Sequence, residues 1–266
     1  MLSKEKLKAL ARLKTKKGRS KEGKFLIEGL RLCEEAAESL WPIESALFTR
    51  SFEGRTRGKK LLKKLEKLNA ELIPVKNQVL SKLSDTVTVQ GIMCVVETKR
   101  PPVENLWRQH IKVIVALEGI SDPGNVGTLI RTADSFEADA VLLSDDTVEL
   151  YNPKVVRSSM GSIFHLPVFD EVDLEKTIPE LKKRKFKIFG THVKQGKGVD
   201  ELEPSGKICL LIGSEAEGLN KKLLQLCDEI IHIPTYGKAE SLNVAVAGGI
   251  LLYEVTKKRM RGKILS

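Results

Sequence analysis

Residues 212–253 read IGSEAEGLNKKLLQLCDEIIHIPTYGKAESLNVAVAGGILLY, and this stretch decides the fold. Apolar runs at 208–212 and 230–233 have the length and composition of buried strands. Each run breaks into a polar, glycine-bearing loop, and the second loop opens a long helix predicted over 241–260. Because α/β proteins bind ligands at such loops, we expect a ligand site here.

The rest of the second half alternates short apolar runs with helical patterns. Strands are predicted at 113–117, 140–143, 165–168 and 186–189, a loop and helix at 124–136, and a helix at 173–185. This alternation indicates a largely parallel sheet that is covered on both faces.

The first half has its own organisation. A basic segment at 1–22 precedes a small α/β unit at 23–98, which a run at 87–97 closes. Pro101 and Pro102 interrupt regular structure, so 99–105 is predicted to be a linker and 106–266 a second domain.

Charge is distributed unevenly along the chain. Residues 1–105 hold 23 Lys and Arg against 13 Asp and Glu, whereas the remainder is balanced at 22 against 22. A local positive field favours phosphate backbones through counterion release, although an ordinary solvated basic surface is the plainer alternative.

Several classes of protein are disfavoured. There is no run of 18 apolar residues and no apolar block at the amino end, so we expect a cytoplasmic protein without a membrane partner. The four cysteines are scattered singly and no HExxH occurs, so no metal site is expected. Neither GxGxxG nor GxxxxGK[ST] follows a strand, which weakens a nucleotide-binding metabolic enzyme as an interpretation.

Three loops carry residues that suit catalysis. The first, near the start of a helix expected at Asn125, also holds Arg131. The second holds a pair of glutamates that includes Glu217, and the third holds Ser241 and Asn243. Taken singly, each has a structural alternative, namely a surface arginine, a solvated carboxylate or a helix N-cap.

Taken together and in this order, the loops resemble the three motifs of the SpoU family of RNA ribose 2′-O-methyltransferases, within the SPOUT superfamily. The matching segments are 125–133, 212–219 and 233–245. Segments 25–29 and 84–92 resemble the amino-terminal substrate-binding domain of that family. The resemblance implies an α/β-knot (trefoil) domain with a mainly parallel sheet, and a homodimer whose active sites are completed across the interface.

The resemblance also implies a cofactor and residue roles. S-adenosylmethionine would bind at Thr191, Gly213, Ile233 and Leu242. The catalytic residues would be Arg131, Asn125, Glu217, Ser241 and Asn243, with Arg131 central.

The role of Arg131 leaves two accounts open. Guanidinium is essentially always protonated in proteins, so Arg131 is either a base made neutral by its surroundings or a charged group that holds phosphate and stabilises the developing alkoxide. Glu217 is predicted to position Arg131 or loop amides, because a carboxylate beside the sulfonium would favour the ground state over the transition state.

The expected substrate is RNA, most specifically ribosomal RNA of the large subunit, because the additional substrate-binding domain is typical of such members. The alternatives are a transfer-RNA 2′-O-methyltransferase and a non-catalytic RNA-binding assembly factor of the same fold.

Overall fold

A computed structural model describes residues 3–86, 88–108 and 110–264. The strands are β1 (Lys24–Glu28), β2 (Ile43–Phe48), β3 (Glu71–Pro74), β4 (Ile92–Glu97), β5 (Val113–Leu117), β6 (Ala140–Ser144), β7 (Val168–Val172), β8 (Phe186–Thr191), β9 (Lys197–Gly198), β10 (Lys207–Ile212) and β11 (Glu229–His232). The helices are α1 (Lys4–Arg12), α2 (Lys16–Glu22), α3 (Leu30–Glu38), α4 (Arg50–Glu53), α5 (Thr56–Lys67), α6 (Asn77–Leu83), α7 (Pro123–Ser135), α8 (Pro153–Ser158), α9 (Leu174–Lys183), α10 (Lys221–Leu226) and α11 (Val244–Ile264).

The chain forms two compact units. The first comprises Met1–Lys99 and Tyr151–His165, and the second comprises Arg100–Leu150 and Leu166–Ser266. The second domain was predicted to run without interruption over 106–266. The second unit of the structure lacks Tyr151–His165, because that segment packs within the first unit. The physical reason is aromatic packing: the Tyr151 ring lies against Phe25 of β1, with ring centroids 4.6 Å apart and the ring planes tilted by 36°.

The first unit is built on a four-stranded sheet of order β1-β4-β2-β3. The β2–β3 pair is parallel, and β4 pairs antiparallel with both β1 and β2. Leu10 and Leu13 are buried in a core cluster of this unit. The segment predicted at 1–22 is thus, over its described residues, two helices packed on the unit rather than a free arm. Leu2 of the predicted basic segment 1–22 and Val87 of the run predicted at 87–97 lie outside the described residues.

The second unit is built on a seven-stranded sheet of order β7-β6-β5-β10-β8-β11-β9. Every pairing in it is parallel. The interior strand β5 is buried along its whole length, as continuous apolar runs covered on both faces require. The predicted fold class is confirmed: a small amino-terminal α/β unit and a larger α/β unit with a mainly parallel sheet.

Two predicted elements are displaced. Residues 165–168 were expected to form a strand, but β7 occupies Val168–Val172 and a 3₁₀ turn occupies Ser162–Phe164. The last helix begins at Val244 rather than at residue 241, because Asn243 caps it and Ser241 remains in the preceding loop. Within the described residues, no helix is long and apolar enough to cross a lipid bilayer.

Candidate active site

A cleft of about 270 Å³ lies where neighbouring strands of the parallel sheet end. Strands β10, β8 and β11 are adjacent, so the loops that follow their carboxyl ends meet at one edge. Thr191 ends β8, Gly213 follows β10, and Ile233 follows β11. These three residues and Leu242 all line the cleft, so the four residues predicted to bind the donor are brought together.

The cleft has an apolar interior and a polar rim. Ile212, Leu219 and Ile231 contribute buried apolar surface, whereas Glu217 and Ser241 are exposed. Small-molecule sites usually measure about 300–1,000 Å³ and combine apolar walls with a few polar groups, and this cleft is close to the lower end of that range. Its composition fits a ligand that has apolar, hydrogen-bonding and cationic parts.

Gly213 is required by a close approach of two backbone segments. A Cβ atom at this position would lie 2.2 Å from the carbonyl carbon of Gly218 and 2.3 Å from the amide nitrogen of Leu219. These are backbone atoms, so the clash would not be relieved by a side-chain rotation. Glycine therefore keeps the loop after β10 folded back on itself at the edge of the cleft.

The loop after β10 is a tight turn that presents two carboxylates. Ser214 and Gly218 exchange backbone hydrogen bonds of 3.2 and 3.0 Å. The Ser214 hydroxyl also accepts a hydrogen bond from the backbone amide of Glu217 at 3.2 Å. This turn holds Glu215 and Glu217 at different points of the same small loop.

Glu215 joins the first and third loops. Its Oε1 accepts hydrogen bonds from the side-chain amide of Asn125 at 2.9 Å, from that of Asn243 at 2.8 Å, and from the backbone amide of Val244 at 3.2 Å. The Asn243 amide also donates to Asn125 Oδ1 at 3.1 Å. We call Asn125, Glu215 and Asn243 the amide–carboxylate cluster.

Asn243 serves two purposes at once. Its Oδ1 accepts hydrogen bonds from the backbone amides of Ala245 at 3.0 Å and Val246 at 3.3 Å, which caps the first turn of α11. Its side-chain nitrogen is left to donate to Glu215 and Asn125. The Asn243 side chain is therefore both the N-cap of α11 and a member of the cluster.

Asn125 is placed by the start of α7. Asp122 is the N-cap and accepts a hydrogen bond from the Asn125 backbone amide at 3.0 Å, and Pro123 occupies the first helical turn. The helix thus begins two residues before the predicted start at Asn125. This leaves the Asn125 side chain in the first turn, where it reaches the cluster.

Arg131 lies further along α7 and is exposed to solvent. Among the described residues, no hydrogen bond or ion pair involves its guanidinium. The helix that carries it is fixed by packing, because Leu129 and Ile130 are fully buried and a Cβ on Gly248 of α11 would meet the Leu129 side chain at 2.3 Å. Arg131 is therefore a free cation on a rigid helix.

The structure corrects the contacts expected of Glu217. Its carboxylate makes no hydrogen bond to Arg131 or to a loop amide within the described part of the chain, and the cluster contacts belong to Glu215. Glu217 and Ser241 line the cleft instead. The motif places both glutamates in one loop, and only the backbone path of the turn decides which one faces Asn125.

Sequence patterns also missed a buried carboxylate beneath this loop. Glu118 directly follows β5, is 7% exposed, and accepts hydrogen bonds from the backbone amide of Asn220 at 3.0 Å and from its side-chain amide. Asn220 in turn caps α10. Burial raises the pKa of Glu118, and Asp146 adds to the effect, whereas the Asn220 amides oppose it.

The raised pKa of Glu118 predicts a pH-dependent contribution to stability. The folded state binds the Glu118 proton more tightly than the unfolded state, so the ionised side chain destabilises the fold as pH rises through the raised value. We compare the free energy of unfolding of the native protein with that of Glu118→Gln. The native value minus the variant value is expected to be largest below the ordinary glutamate pKa, about 4.3, and to fall toward neutral pH. Denaturant unfolding across this range measures it, and a difference that stays constant or rises would contradict it.

No group of three or more His, Cys, Asp or Glu residues in the described ranges could hold a metal ion.

Two regions of the chain match known protein families. The SpoU rRNA Methylase family matches residues 112–253, and the MRM3-like substrate binding domain matches residues 4–94. The 23S rRNA (guanosine(2553)-2′-O)-methyltransferase RlmP of Bacillus subtilis is 36% identical over 251 residues, which covers 94% of this chain and 96% of the relative.

Two solved structures each match 97% of this chain. The SpoU methyltransferase AviRb from Streptomyces viridochromogenes, in complex with the cofactor AdoMet, superposes with a TM-score of 0.87 at 27% identity and covers 97% of this chain and 99% of its own. The AdoMet-bound rRNA methyltransferase from Sinorhizobium meliloti has a TM-score of 0.85 at 27% identity, covering 97% and 96%.

Proposed function

Because the chain belongs to the SpoU rRNA methylase family, its reaction is methyl transfer from S-adenosylmethionine to RNA, and we propose that its substrate is ribosomal RNA of the large subunit, methylated on a ribose 2′-oxygen. The observation that carries the proposal is the amide–carboxylate cluster beside the cleft, which joins three loops from distant parts of the second unit. The RlmP relative, which matches nearly the whole chain, supports the choice of RNA.

We assign the cleft to the methyl donor. S-adenosylmethionine supplies an electrophilic methyl group on a positively charged sulfonium. Thr191, Gly213, Ile233 and Leu242 are proposed to hold it, partly through backbone groups, because each lines the cleft and Gly213 leaves no room for a side chain. The apolar interior around Ile212 and Leu219 excludes water from the bound ligand.

The cluster is proposed to fix the geometry of the reaction. Methyl transfer needs the acceptor oxygen in line with the methyl group and held still. Glu215 ties the first turn of α7 to the first turn of α11, so it fixes the helix that carries Arg131 relative to the donor cleft. Ser241 and Glu217, on the rim of the cleft, are left to contact the nucleotide.

The environment of Arg131 favours the charged account of its role. The side chain is exposed to solvent rather than enclosed in an apolar pocket, and a guanidinium always carries its charge in proteins. We therefore assign Arg131 to holding a phosphate of the target nucleotide and stabilising the alkoxide as the 2′-hydroxyl loses its proton. The proton then leaves to solvent or to an RNA oxygen.

A homodimer is part of the proposal. Val246 and Tyr253 of α11 are 52% and 49% exposed, and their spacing of seven residues places them on one face of the helix. An apolar face of this kind next to the cluster suits a second copy of the chain. Sedimentation velocity is expected to give twice the chain mass of 29.6 kDa. The cytoplasm is the proposed location, because the RlmP relative from Bacillus subtilis acts on ribosomal RNA and bacterial ribosomes are assembled in the cytoplasm.

The substrate is tested by mapping 2′-O-methyl marks in total RNA from cells with and without the gene. One position in large-subunit ribosomal RNA is expected to lose its mark in the absence of the protein and to regain it on complementation. A change confined to transfer RNA would instead establish the alternative substrate. If no position changes and purified protein transfers no label from the donor to RNA, the enzymatic proposal fails.

A further inference from the structure

Helix α5 (Thr56–Lys67) of the first unit has two faces of opposite character. Gly58, Leu61, Leu62 and Leu65 are buried. On the other side, four lysines are exposed. Because successive residues of an α-helix are rotated by about 100°, these lysines span about 100° of the helix circumference. We call them the α5 lysine row. The row consists of Lys59, Lys60, Lys63 and Lys67.

The helix separates its paired cations from its unpaired ones. Arg57 forms an ion pair with Glu34 of α3. Lys64 forms an ion pair with Glu38, also on α3, at 3.7 Å. Within the described chain, no hydrogen bond or ion pair joins an ammonium group of the row to a carboxylate. Glu66 is the one acidic residue that the helix itself contributes near the row, so the face keeps a large positive excess.

This arrangement does not help the helix to fold. Lys59, Lys63 and Lys67 follow one another at intervals of four residues, and like charges at that spacing repel each other. The repulsion is relieved when a polyanion replaces the small counterions that otherwise collect along the face. The row is therefore better explained by a partner than by the stability of the unit.

The spacing and chemistry of the row specify the kind of partner. At a rise of about 1.5 Å per residue, Lys59 and Lys67 are separated by about 12 Å along the helix axis, with Lys63 midway. Lysine ammonium groups are mobile point charges that contact phosphate without reading bases. The row carries no exposed aromatic residue on which a base could stack, which points to the backbone of a folded RNA rather than to unpaired bases.

We propose that the α5 lysine row docks on the phosphate backbone of a double-helical segment of the RNA substrate. This inference rests on the proposed function, because it supplies a contact surface for the same RNA. The row contributes affinity and orientation, and the chemistry remains with the second unit.

The test is the salt dependence of RNA binding by the full chain. The triple variant Lys59→Gln/Lys63→Gln/Lys67→Gln is compared with Lys6→Gln/Lys24→Gln/Lys64→Gln, which removes the same charge from lysines that are ion-paired to Glu71, Glu44 and Glu38. The probes are deproteinised large-subunit ribosomal RNA and an RNA duplex of about 20 base pairs, long enough for a shape-reading contact.

The row variant is expected to bind each probe at least tenfold more weakly at about 0.1 M salt, and its slope of log affinity against log salt is expected to fall by about three, one for each lysine. The control is expected to keep most of the native slope. The row variant should raise KM for RNA while leaving kcat at saturating RNA and the Kd of the donor unchanged. Restoring the charge in Lys59→Arg/Lys63→Arg/Lys67→Arg should restore the slope.

Two results would overturn the inference: equal loss of affinity in the row variant and the control, or an unchanged slope in the row variant. Thermal unfolding checks the fold, and the row variant should be as stable as the native protein or more so, because repulsion within α5 is reduced. If the triple variant unfolds, Lys63→Gln alone is expected to reduce the slope by about one. Failure of the proposed function is distinguishable, since it would appear as absent methyl transfer by the native protein.

Discussion

Replacement of Arg131 by alanine is expected to lower the turnover number by about 10²- to 10³-fold, the usual cost of removing one preorganised group that stabilises developing charge. Arg131 stands free on α7, and the buried side chains of Leu129 and Ile130 hold that helix in place. The truncated side chain should therefore leave the fold intact and remove only the cation. Single-turnover methyl transfer at saturating donor and RNA measures the loss.

The donor affinity of Arg131→Ala serves as the internal control. Arg131 does not belong to the residues that line the cleft, so calorimetry should give a Kd for the donor close to the native value. Arg131→Lys keeps the positive charge but lacks the planar, bidentate geometry of guanidinium. High activity in Arg131→Lys would argue for a simple point charge, and near-native turnover in Arg131→Ala would refute both accounts of the residue.

Glu215→Ala is expected to reduce turnover by about 10²-fold, because small displacements of positioned groups have effects of this size. One oxygen of this carboxylate accepts the hydrogen bonds of Asn125, Asn243 and Val244, so its loss weakens the link between the starts of α7 and α11 and leaves the 3.1 Å Asn243–Asn125 hydrogen bond. Glu215→Gln retains an acceptor oxygen of the same shape and should lose less activity. Steady-state kinetics with separate kcat and KM values for RNA tests both variants.

Glu217→Ala is the matched control for Glu215→Ala. The two glutamates lie two residues apart in the same loop, both are exposed, and both line the cleft. Glu215 belongs to the amide–carboxylate cluster, whereas the Glu217 carboxylate makes no hydrogen bond to it among the described residues. Near-native turnover in Glu215→Ala would show that the cluster does not position the reaction. An equal loss in both would point to the charge of the loop rather than to a specific contact.

Much of the fold follows from short-range patterns. The continuous apolar runs that became β5, β6 and β10 predicted buried parallel strands, and the order of the three polar loops predicted where the site would form. The family resemblance implied that Thr191, Gly213 and Ile233 share one donor site, and the structure brings them to one cleft, because parallel strands bring their carboxyl ends to one edge. Their role in donor binding stays a prediction.

The start of the last helix and the extent of the two units were less predictable. The last helix was expected from residue 241, but the Asn243 side chain caps Ala245 and Val246 and thereby fixes the start at Val244. The segment Tyr151–His165 was expected within the second domain, yet it packs in the first unit. Neither outcome is visible in hydrophobic periodicity, because the cap is a local polar contact of Asn243 and the packing partner of Tyr151 is remote in the sequence.

The sequence by itself determined the alternation of strands and helices, the glycine at the crowded turn, and the set of polar residues available for catalysis, since each depends on neighbours close along the chain. Only the tertiary structure decided that Glu215 rather than Glu217 joins Asn125 and Asn243. The side chains of Asn125 and Asn243 are 118 residues apart and lie within hydrogen-bonding distance. The direction of a carboxylate in a tight turn depends on the backbone path and on donors supplied from the rest of the fold.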